Sequence, residues 1–400
     1  MHIGVDATCW QNQRGYGRHA RALLSALVRC YPENNYRFFI DSADAIPALP
    51  PTGSYRLLRA DVPATIAASA NGHRSIRDMW RMSRALSTEP VEALLYPTVY
   101  TFVPAITRAK KLLIIHDVIA ERYPQLTVPR RAARLLWKTK VALGRMQADA
   151  IITVSEYSRR GLIEHFGISP EKIFVVGEAG DPVFRAFDDP RPTPRLAALG
   201  ILGSRPIVTY VGGFSPHKNI EELVAAFSEV TAGYGLSSAL LVLVGDYERD
   251  TFHNCFRVVQ EAVERAGIGD RVVFTGYLPD DDLVVLLNMA KVLVLPSFIE
   301  GFGLPAVEAA ACGCPVIATR NSPLPELLGD RQLYITPGRN EIAGALGRVL
   351  KSDALRKEMG RAGIEAASRL TWDAAARQMM DVIREVVPAR MHRSQRAAGF

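Results

Sequence analysis

Two glutamates, Glu300 and Glu308, lie on either side of a glycine-rich turn, with seven residues between them in "EGFGLPAVE". Carboxylates can serve acid–base chemistry, or they can accept hydrogen bonds from vicinal hydroxyls such as those of a ribose. Either glutamate alone could equally end a strand or match a helix dipole. The pair, with the turn between them, predicts a binding site.

The turn between the glutamates follows a buried-strand pattern, "KVLVLP", and opens a short helix that ends near Gly313. Pro305 suits the first helical position. The first amides of a helix have no partner inside it, and its dipole favours negative charge there. We therefore expect the backbone of Gly301, Phe302, Gly303 and Leu304 to approach an anionic ligand closely, which glycine permits.

A cation follows an earlier strand pattern. Lys218 stands in "YVGGFSPHKNI", just after the strand "PIVTYV". A lysine at the end of a strand is a suitable point charge for phosphate, although a lone lysine is commonly a surface residue.

A glycine loop near the start of the chain suggests a different chemistry. "GYGRHA", which begins with Gly15 and Gly17, fits G-x-G-x-x-A, and Asp41 follows a second strand where a ribose-binding acid could lie. A dinucleotide-binding turn, however, follows its strand tightly. Here about eight residues intervene, "TCWQNQR" among them, so the sequence disfavours a dinucleotide oxidoreductase.

The elements that must position these residues alternate between strand-like and helix-like segments through most of the 400 residues. This alternation predicts parallel sheets covered by helices on both faces. A proline-rich stretch interrupts it. We expect an N-terminal α/β domain at 1–185, a linker at 186–204, a C-terminal α/β domain at 205–370, and a terminal helix with a basic tail at 371–400. Ligands would bind in the cleft between the domains.

The amino-acid composition indicates the class of protein and its cellular compartment. Apolar residues make up 48% and charged residues 22% of the chain, as in globular proteins. The apolar runs are shorter than the roughly 20 residues of a membrane span, and the first residues read as a strand rather than a signal peptide. Five cysteines without framework spacing suit a reducing cytoplasm. Cys312 and Cys314 could form a metal pair, but packing is the favoured role, and no metal is expected.

Positive charge is concentrated in the first half. Residues 1–190 contain 25 Lys and Arg against 18 Asp and Glu, a balance of +7, which equals the net charge of the whole chain. Arginines recur at helical spacing in two segments; those assigned to a membrane or acceptor face are Arg74, Arg77, Arg81, Arg130, Arg131 and Arg134. Such stripes are often only a solvated face. Their concentration favours an anionic partner, either a phosphate-rich ligand or a membrane surface.

The stretch from Glu300 to Pro315 resembles the retaining nucleotide-sugar glycosyltransferases of the GT-B fold, family 4, whose hallmark is E-x7-E within a segment like E-G-F-G-L-P-x-x-E. The resemblance implies two Rossmann-like α/β domains with parallel sheets facing a central cleft, and a C-terminal helix that crosses back to the N-terminal domain. It implies that Glu300 binds donor-sugar hydroxyls, that Glu308 binds the nucleotide ribose, and that the turn amides bind sugar and diphosphate.

Other segments extend the resemblance from the N-terminus to about Pro337. They assign Lys218 to the donor diphosphate, Tyr277 and Leu278 to the border of the base, and His116 in "IIHDV" to the donor sugar or its phosphate. Gly15 and Gly17 would line the acceptor side near the donor phosphates, and Glu326 would support the cleft. Many relatives carry an arginine where this chain has Gly213, and His217 also departs from the family pattern.

The resemblance predicts transfer of a sugar from a nucleotide diphosphate to an acceptor hydroxyl, with retention. Lys218, the turn amides and Arg18 would stabilise the leaving diphosphate. The chain is similar overall to bacterial polysaccharide mannosyltransferases. GDP-mannose is therefore the first expected donor and a UDP-sugar the second. The expected acceptor is a glycan or a lipid-linked glycan at the inner membrane, and no cofactor, metal or nucleic acid is expected.

Three other activities are weighed against this one. A retaining glycoside hydrolase would need two carboxyl groups about 5–5.5 Å apart, on either side of the bond that is cleaved. The resemblance instead assigns one glutamate to the donor sugar and the other to the ribose of the nucleotide. An epimerase would convert donor without acceptor, and a non-catalytic binding protein would retain affinity without turnover.

Overall fold

The computed structural model describes residues 1–12, 15–67, 75–128, 130–233, 236–247 and 254–388. Arg74 and the basic tail beyond residue 388 lie outside the described residues. No helix in the described ranges is long and apolar enough to cross a membrane.

The N-terminal lobe is built on a parallel sheet. Its strands are β1 (His2–Asp6), β2 (Asn35–Ile40), β3 (Ser54–Leu57), β4 (Ala93–Tyr96), β5 (Lys110–Ile114), β6 (Ala150–Thr153) and β7 (Ile173–Val175). They lie in the order β3-β2-β1-β4-β5-β6-β7, and every neighbouring pair is parallel. The chain winds outwards in both directions from β1 and β4, so a crevice opens beyond the carboxyl ends of these two strands.

The C-terminal lobe repeats this plan. Its strands are β8 (Ile207–Val211), β9 (Leu240–Val244), β10 (Val272–Gly276), β11 (Val292–Leu295), β12 (Val316–Thr319) and β13 (Leu333–Ile335). Their order is β10-β9-β8-β11-β12-β13, again parallel throughout. The strand order reverses between β8 and β11, and the predicted cation and the predicted glycine turn follow these two strands.

Helices cover both faces of each sheet. The N-terminal lobe contains α1 (Gly15–Cys30), α2 (Ala64–Ala67), α3 (Ile76–Thr88), α4 (Ile119–Arg122), α5 (Pro124–Thr127), α6 (Arg131–Gln147) and α7 (Glu156–Phe166). The remainder are α8 (Pro194–Ala198), α9 (Ile220–Gly233), α10 (Phe256–Arg265), α11 (Asp280–Met289), α12 (Leu304–Ala311), α13 (Leu324–Leu328), α14 (Arg339–Lys351), α15 (Asp353–Ser368) and α16 (Trp372–Val386).

Local sequence explains why these elements form. All five residues of β9, "LLVLV", are buried, as expected of a parallel strand covered on both faces. Helix α7 begins where Ser155 Oγ accepts a hydrogen bond from the Ser158 amide at 3.0 Å, so Ser155 is its N-cap. It ends at Gly167, whose φ of 61° is the left-handed conformation that closes many helices.

Residues 186–204, expected to form a linker, contribute to the core of the C-terminal lobe. They contain α8, and Leu196 and Ile201 are fully buried in the same apolar cluster as Tyr210 and Phe227. Burial of an aliphatic side chain of this size contributes about 1.5–3 kcal/mol. This stretch is therefore fixed to the C-terminal lobe.

The last helix crosses back to the first lobe. Met379 and Ile383 of α16 are fully buried in one cluster with Leu23 and Leu27 of α1. Arg29 of α1 also pairs with Asp373 at the start of α16. The predicted return of the C-terminal helix is confirmed.

Candidate active site

Lys218 and Glu300 meet where the strand order of the C-terminal sheet reverses. Lys218 Nζ donates to both carboxylate oxygens of Glu300, at 2.8 and 2.9 Å, and Ser297 Oγ donates to Oε1 at 2.5 Å. Glu300 is only 6% exposed. Burial by itself would raise the pKa of Glu300, but Lys218 and Ser297 hold this pKa below its ordinary value. Glu300 is therefore ionised at neutral pH.

Asn219 fixes the turn that carries Lys218. Its φ of 57° is left-handed, a conformation that asparagine tolerates better than most residues. Its side-chain amide donates to the carbonyls of Pro296 and Pro337 at 3.1 and 2.9 Å. Sequence reasoning missed Asn219, although an asparagine directly after a cation at a strand end is a recognisable turn signal.

The predicted glycine turn leads into α12 through Gly303. Gly303 has a φ of 86° and precedes the helix with no side-chain cap. A Cβ at this position would lie 2.9 Å from the Leu324 side chain. Leu304 begins the helix, and Phe302 is buried in the core of this lobe. The helix N-terminus thus keeps backbone donors that no capping side chain engages.

Gly301 lies against the N-terminal lobe. A Cβ at Gly301 would lie 2.5 Å from Asp117 Oδ2 of the N-terminal lobe, and Ser158 Oγ donates to the Gly301 carbonyl at 3.1 Å. The space where a Cβ would lie is filled by the opposite lobe. Gly301 permits the close approach of the two lobes.

Glu308 is 2% exposed and joins the two lobes electrostatically. Arg18 donates to Glu308 Oε1 at 2.9 Å and to Asp280 Oδ2 at 3.2 Å. Burial raises the pKa of Glu308 to about 8, and Arg18 acts in the opposite direction. The arginine expected at the diphosphate therefore lies against the acid expected at the ribose.

The other residues assigned to the nucleotide differ in their exposure to solvent. Tyr277 is exposed at the end of β10, while Leu278 is buried in the core. Gly213 is exposed, and its carbonyl accepts a hydrogen bond from Tyr210 at 2.7 Å. Glu326 pairs with Arg160 of the opposite lobe.

His116 follows β5 in the N-terminal lobe and contacts a second histidine. His116 Nε2 lies 3.3 Å from Nδ1 of His19, and His19 Nε2 lies 3.9 Å from Glu178 Oε1. Burial lowers the pKa of His116 to about 4 and that of His19 well below its ordinary value. Burial, followed by the charges of Asp117 and Glu308, raises the pKa of Glu178 to about 8. Sequence reasoning did not select His19 or Glu178.

The glycines of the first loop differ in how tightly they are packed. A Cβ at Gly17 would lie 2.0 Å from the Asn12 carbonyl oxygen, whereas a Cβ at Gly15 would meet no atom within 4 Å. Gly17 is therefore required by the fold of the loop. Only Gly15 leaves open space.

The predicted arginine face lies on α3 and α6. Arg77, Arg130 and Arg131 are exposed, and Arg81 and Arg134 are half-buried. Arg81 pairs with Asp78 at 3.5 Å, and Arg134 Nε donates to the Val128 carbonyl at 2.6 Å. These arginines lie on the helices that cover one face of the N-terminal sheet.

Cys312 and Cys314 are buried in the core of the C-terminal lobe. Within the described ranges, the one group of three side chains positioned to hold a metal ion is His19, His116 and Glu178, which includes neither cysteine. The two cysteines pack, as favoured from the sequence.

Comparison with known proteins identifies this two-lobed arrangement. Residues 14–181 match the model described as "Glycosyltransferase Family 4", and residues 196–366 match the model described as "Glycosyl transferases group 1". The chain carries both domains and belongs to these glycosyltransferases.

Two relatives are mannosyltransferases of Escherichia coli. The serotype-specific mannosyltransferase WbdA is 25% identical over 93% of this chain and 46% of its own length. The O-antigen chain mannosyltransferase B is 30% identical over 58% of this chain and 60% of its own length. The chain thus spans about half the length of these curated relatives.

Two solved structures share the fold over most of the chain. Sucrose-phosphate synthase from Thermosynechococcus elongatus superposes with a TM-score of 0.74 at 22% identity, covering 96% of this chain and 99% of its own. HepE from Anabaena, determined with UDP and glucose, has a TM-score of 0.72 at 17% identity over 96% of this chain and all of its own. The predicted GT-B fold is confirmed.

Proposed function

We propose that this protein transfers a hexose from a nucleoside diphosphate sugar to an acceptor hydroxyl, with retention at the anomeric carbon. The observation that carries the proposal is the charged Lys218–Glu300 pair beside the uncapped N-terminus of α12, where the strand order of the C-terminal sheet reverses. This arrangement offers a cation and backbone donors to a diphosphate and a carboxylate to sugar hydroxyls.

Catalysis in this proposal rests on charge that is placed before the reaction begins. Negative charge develops on the leaving diphosphate, and Lys218 with the turn amides stabilises it in a site largely shielded from water. Asn219 holds the lysine turn in place, so little reorganisation is needed. We assign His116 to the donor sugar or its phosphate, across the cleft from Glu300.

Recognition of the nucleotide falls to the other end of the turn. Glu308 Oε1 already accepts a hydrogen bond from Arg18, and we assign the remaining capacity of this carboxyl to the ribose hydroxyls. Tyr277, which is exposed directly after β10, would border the base. The leaving diphosphate and the entering hydroxyl would occupy the same face of the sugar, which gives retention without a protein nucleophile.

For the donor we propose GDP-mannose first, because both relatives described above are named mannosyltransferases. A UDP-sugar is the second candidate, because HepE was determined with UDP and glucose. The acceptor we propose is a glycan or a lipid-linked glycan.

A thermal-shift screen of nucleotide sugars tests the donor. A ligand at 100 times its dissociation constant stabilises the native state by about 2.7 kcal/mol. We expect GDP-mannose to raise the melting temperature of the parent protein by several degrees, and to raise it far less in Lys218→Ala and Glu300→Gln. Lys291→Ala, at the opposite end of the C-terminal sheet, is the matched control. An equal response in all four proteins would contradict the proposed site.

Turnover is tested with the donor that binds. Nucleotide release should depend on an added acceptor glycan and should be abolished by Glu300→Ala. Conversion of the donor without acceptor would instead indicate an epimerase, and tight binding without turnover across a wide acceptor panel would indicate a binding protein.

We also propose that the arginine face docks on an anionic membrane. On α6, Leu135, Leu136, Leu143 and Met146 are exposed, with Met146 78% exposed, and on α3 Ile76 is 81% exposed. Basic residues flank this apolar stripe. A helix with this pattern lies in a membrane interface, where its apolar side chains insert and its cations bind lipid phosphates. A lipid-linked acceptor would be presented at the same surface.

Vesicle sedimentation tests the docking surface. We expect the protein to bind vesicles rich in phosphatidylglycerol and not vesicles of phosphatidylcholine. Charge reversal of Arg130, Arg131 and Arg134 should abolish binding, whereas reversal of the exposed Arg265, Arg361 and Arg369 in the other half of the chain should not. Equal binding by both triple variants would refute this surface.

A further inference from the structure

Three side chains from separate parts of the N-terminal lobe converge beside the cleft. His19 comes from α1, His116 follows β5, and Glu178 follows β7. One ligand atom from each can be chosen so that all three atoms lie within 4.8 Å of one another. His116 Nε2 lies 3.3 Å from His19 Nδ1, and Glu178 Oε1 lies 3.9 Å from His19 Nε2, the other nitrogen of the same ring.

This set has the donor types that transition metals prefer. Two imidazoles and one carboxylate suit Zn²⁺. Ligand atoms of a tetrahedral zinc site lie about 3.3 Å apart, given bond lengths of about 2.0–2.1 Å. The most distant pair of ligand atoms would need to approach by at most about 1.5 Å, through torsional changes in the three side chains.

An unsatisfied atom points to the same conclusion. His19 Nε2 is buried and has no hydrogen-bond partner in the described part of the chain. Buried polar atoms normally have a partner, so an exception calls for a missing one. The ring of Trp372, whose centroid lies 5.7 Å from that of His19, packs against the histidine and restricts its orientation.

We propose that His19, His116 and Glu178 bind a divalent transition-metal ion, with Zn²⁺ as the best match. Three protein ligands leave a position for a water molecule or for an oxygen of a bound substrate. His116 is half-buried at the cleft, so this position faces the nucleotide-sugar side.

One consequence rests on the function proposed above. If His116 contacts the donor sugar or its phosphate, a metal ion on the same ring competes with that contact. Zn²⁺ then acts as an inhibitor of donor binding rather than as a cofactor. This agrees with the expectation from the sequence that the reaction itself needs no metal.

Metal binding is measured on tag-free protein after dialysis against EDTA, without any nucleotide sugar. Zn²⁺ is titrated in competition with a chromogenic chelator, and the visible spectrum of the Co²⁺-substituted protein reports imidazole ligation. We expect one tight equivalent in the parent protein and at least tenfold weaker binding in His19→Asn and Glu178→Gln. The exposed His165→Asn is the matched control and should bind like the parent.

The same measurements can overturn the proposal. The proposal is wrong if Glu178→Gln binds Zn²⁺ as tightly as the parent protein does, or if the parent protein does not bind one equivalent of Zn²⁺ tightly. If His19→Asn does not fold, Glu178→Gln alone tests the metal site, because glutamine keeps the shape of the glutamate side chain. Its melting temperature without metal should match the parent, and added Zn²⁺ should raise only that of the parent.

Failure of this site and failure of the proposed function are distinguishable. Metal affinity is determined without donor, and donor affinity is determined in EDTA. Competition between Zn²⁺ and donor requires that both the metal site and the donor site exist. It predicts that Zn²⁺ raises the donor dissociation constant of the parent protein but not that of Glu178→Gln.

Discussion

Replacing Gly301 by alanine tests whether the two lobes approach each other as closely as the structure shows. The new methyl group would lie 2.5 Å from Asp117 Oδ2 and 3.0 Å from its Cβ and Cγ. Asp117 cannot move freely, because its Oδ1 accepts a hydrogen bond from the Ile119 amide at 2.8 Å. The alanine must therefore displace this carboxylate or separate the lobes.

The size of the effect follows from these contacts. Overpacking of one methyl group costs about 1–3 kcal/mol, and loss of the Ile119 hydrogen bond costs about 0.5–1.5 kcal/mol. This free-energy cost destabilises the conformation in which the two lobes are in contact, and it leaves the core of each lobe unchanged. We expect a penalty of about 2 kcal/mol, which weakens donor binding about 30-fold.

The assay is isothermal titration of the donor into four proteins: the parent, Gly301→Ala, Asp117→Ala and the double variant. Asp117→Ala removes the obstructing carboxylate, so the alanine at position 301 should cost little in that background. The coupling energy between the two substitutions isolates the clash from any separate role of Asp117. Gly344→Ala on α14, where a Cβ meets no atom within 4 Å, is the control and should leave donor binding unchanged.

A donor affinity for Gly301→Ala that equals that of the parent would refute this reasoning. Additive effects of the two substitutions would refute it as well, since they would show that the methyl group and the carboxylate do not meet.

Three further predictions concern the C-terminal lobe. Lys218→Met should lower the free energy of unfolding by about 3–5 kcal/mol because it leaves a buried carboxylate without its cation; urea unfolding should show that adding Glu300→Gln restores most of the loss. The lowered pKa of Glu300 stabilises the folded state above the ordinary glutamate pKa, and this contribution is lost as pH falls through the folded value; between pH 5 and 3, stability should therefore decline less steeply in Glu300→Gln, and equal slopes would contradict the pairing. Gly303→Ala should cost about 1–3 kcal/mol, because φ is 86° and the methyl group meets Leu324; a melting temperature equal to that of Gly344→Ala would exclude this strain.

The sequence predicted those features that depend on neighbouring residues. Continuous apolar runs such as "LLVLV" indicate buried parallel strands, and two glycines followed closely by a proline indicate the turn before α12. The strand-end positions of Lys218 and Glu300 follow from the same patterns, because parallel strands bring their carboxyl ends to one edge.

Features that depend on distant residues were not predictable in this way. Arg18 and Glu308 are 290 positions apart, and no local pattern records their contact. The close approach of Asp117 to Gly301 was not predictable for the same reason, since Asp117 belongs to the other lobe. His19 was visible in the glycine loop, but nothing in its surroundings marked it as a neighbour of Glu178.

The return of α16 to the first lobe affects how the protein can be made. Met379 and Ile383, together with their neighbours between residues 375 and 387, complete an apolar cluster whose remaining buried members lie before residue 177. On the ribosome, the lobe that is synthesised first must wait, with part of its interior uncovered, until almost all of the second lobe has emerged. The same return joins the lobes by two covalent crossings instead of one, so a fragment ending at residue 185 would lack one wall of its own interior.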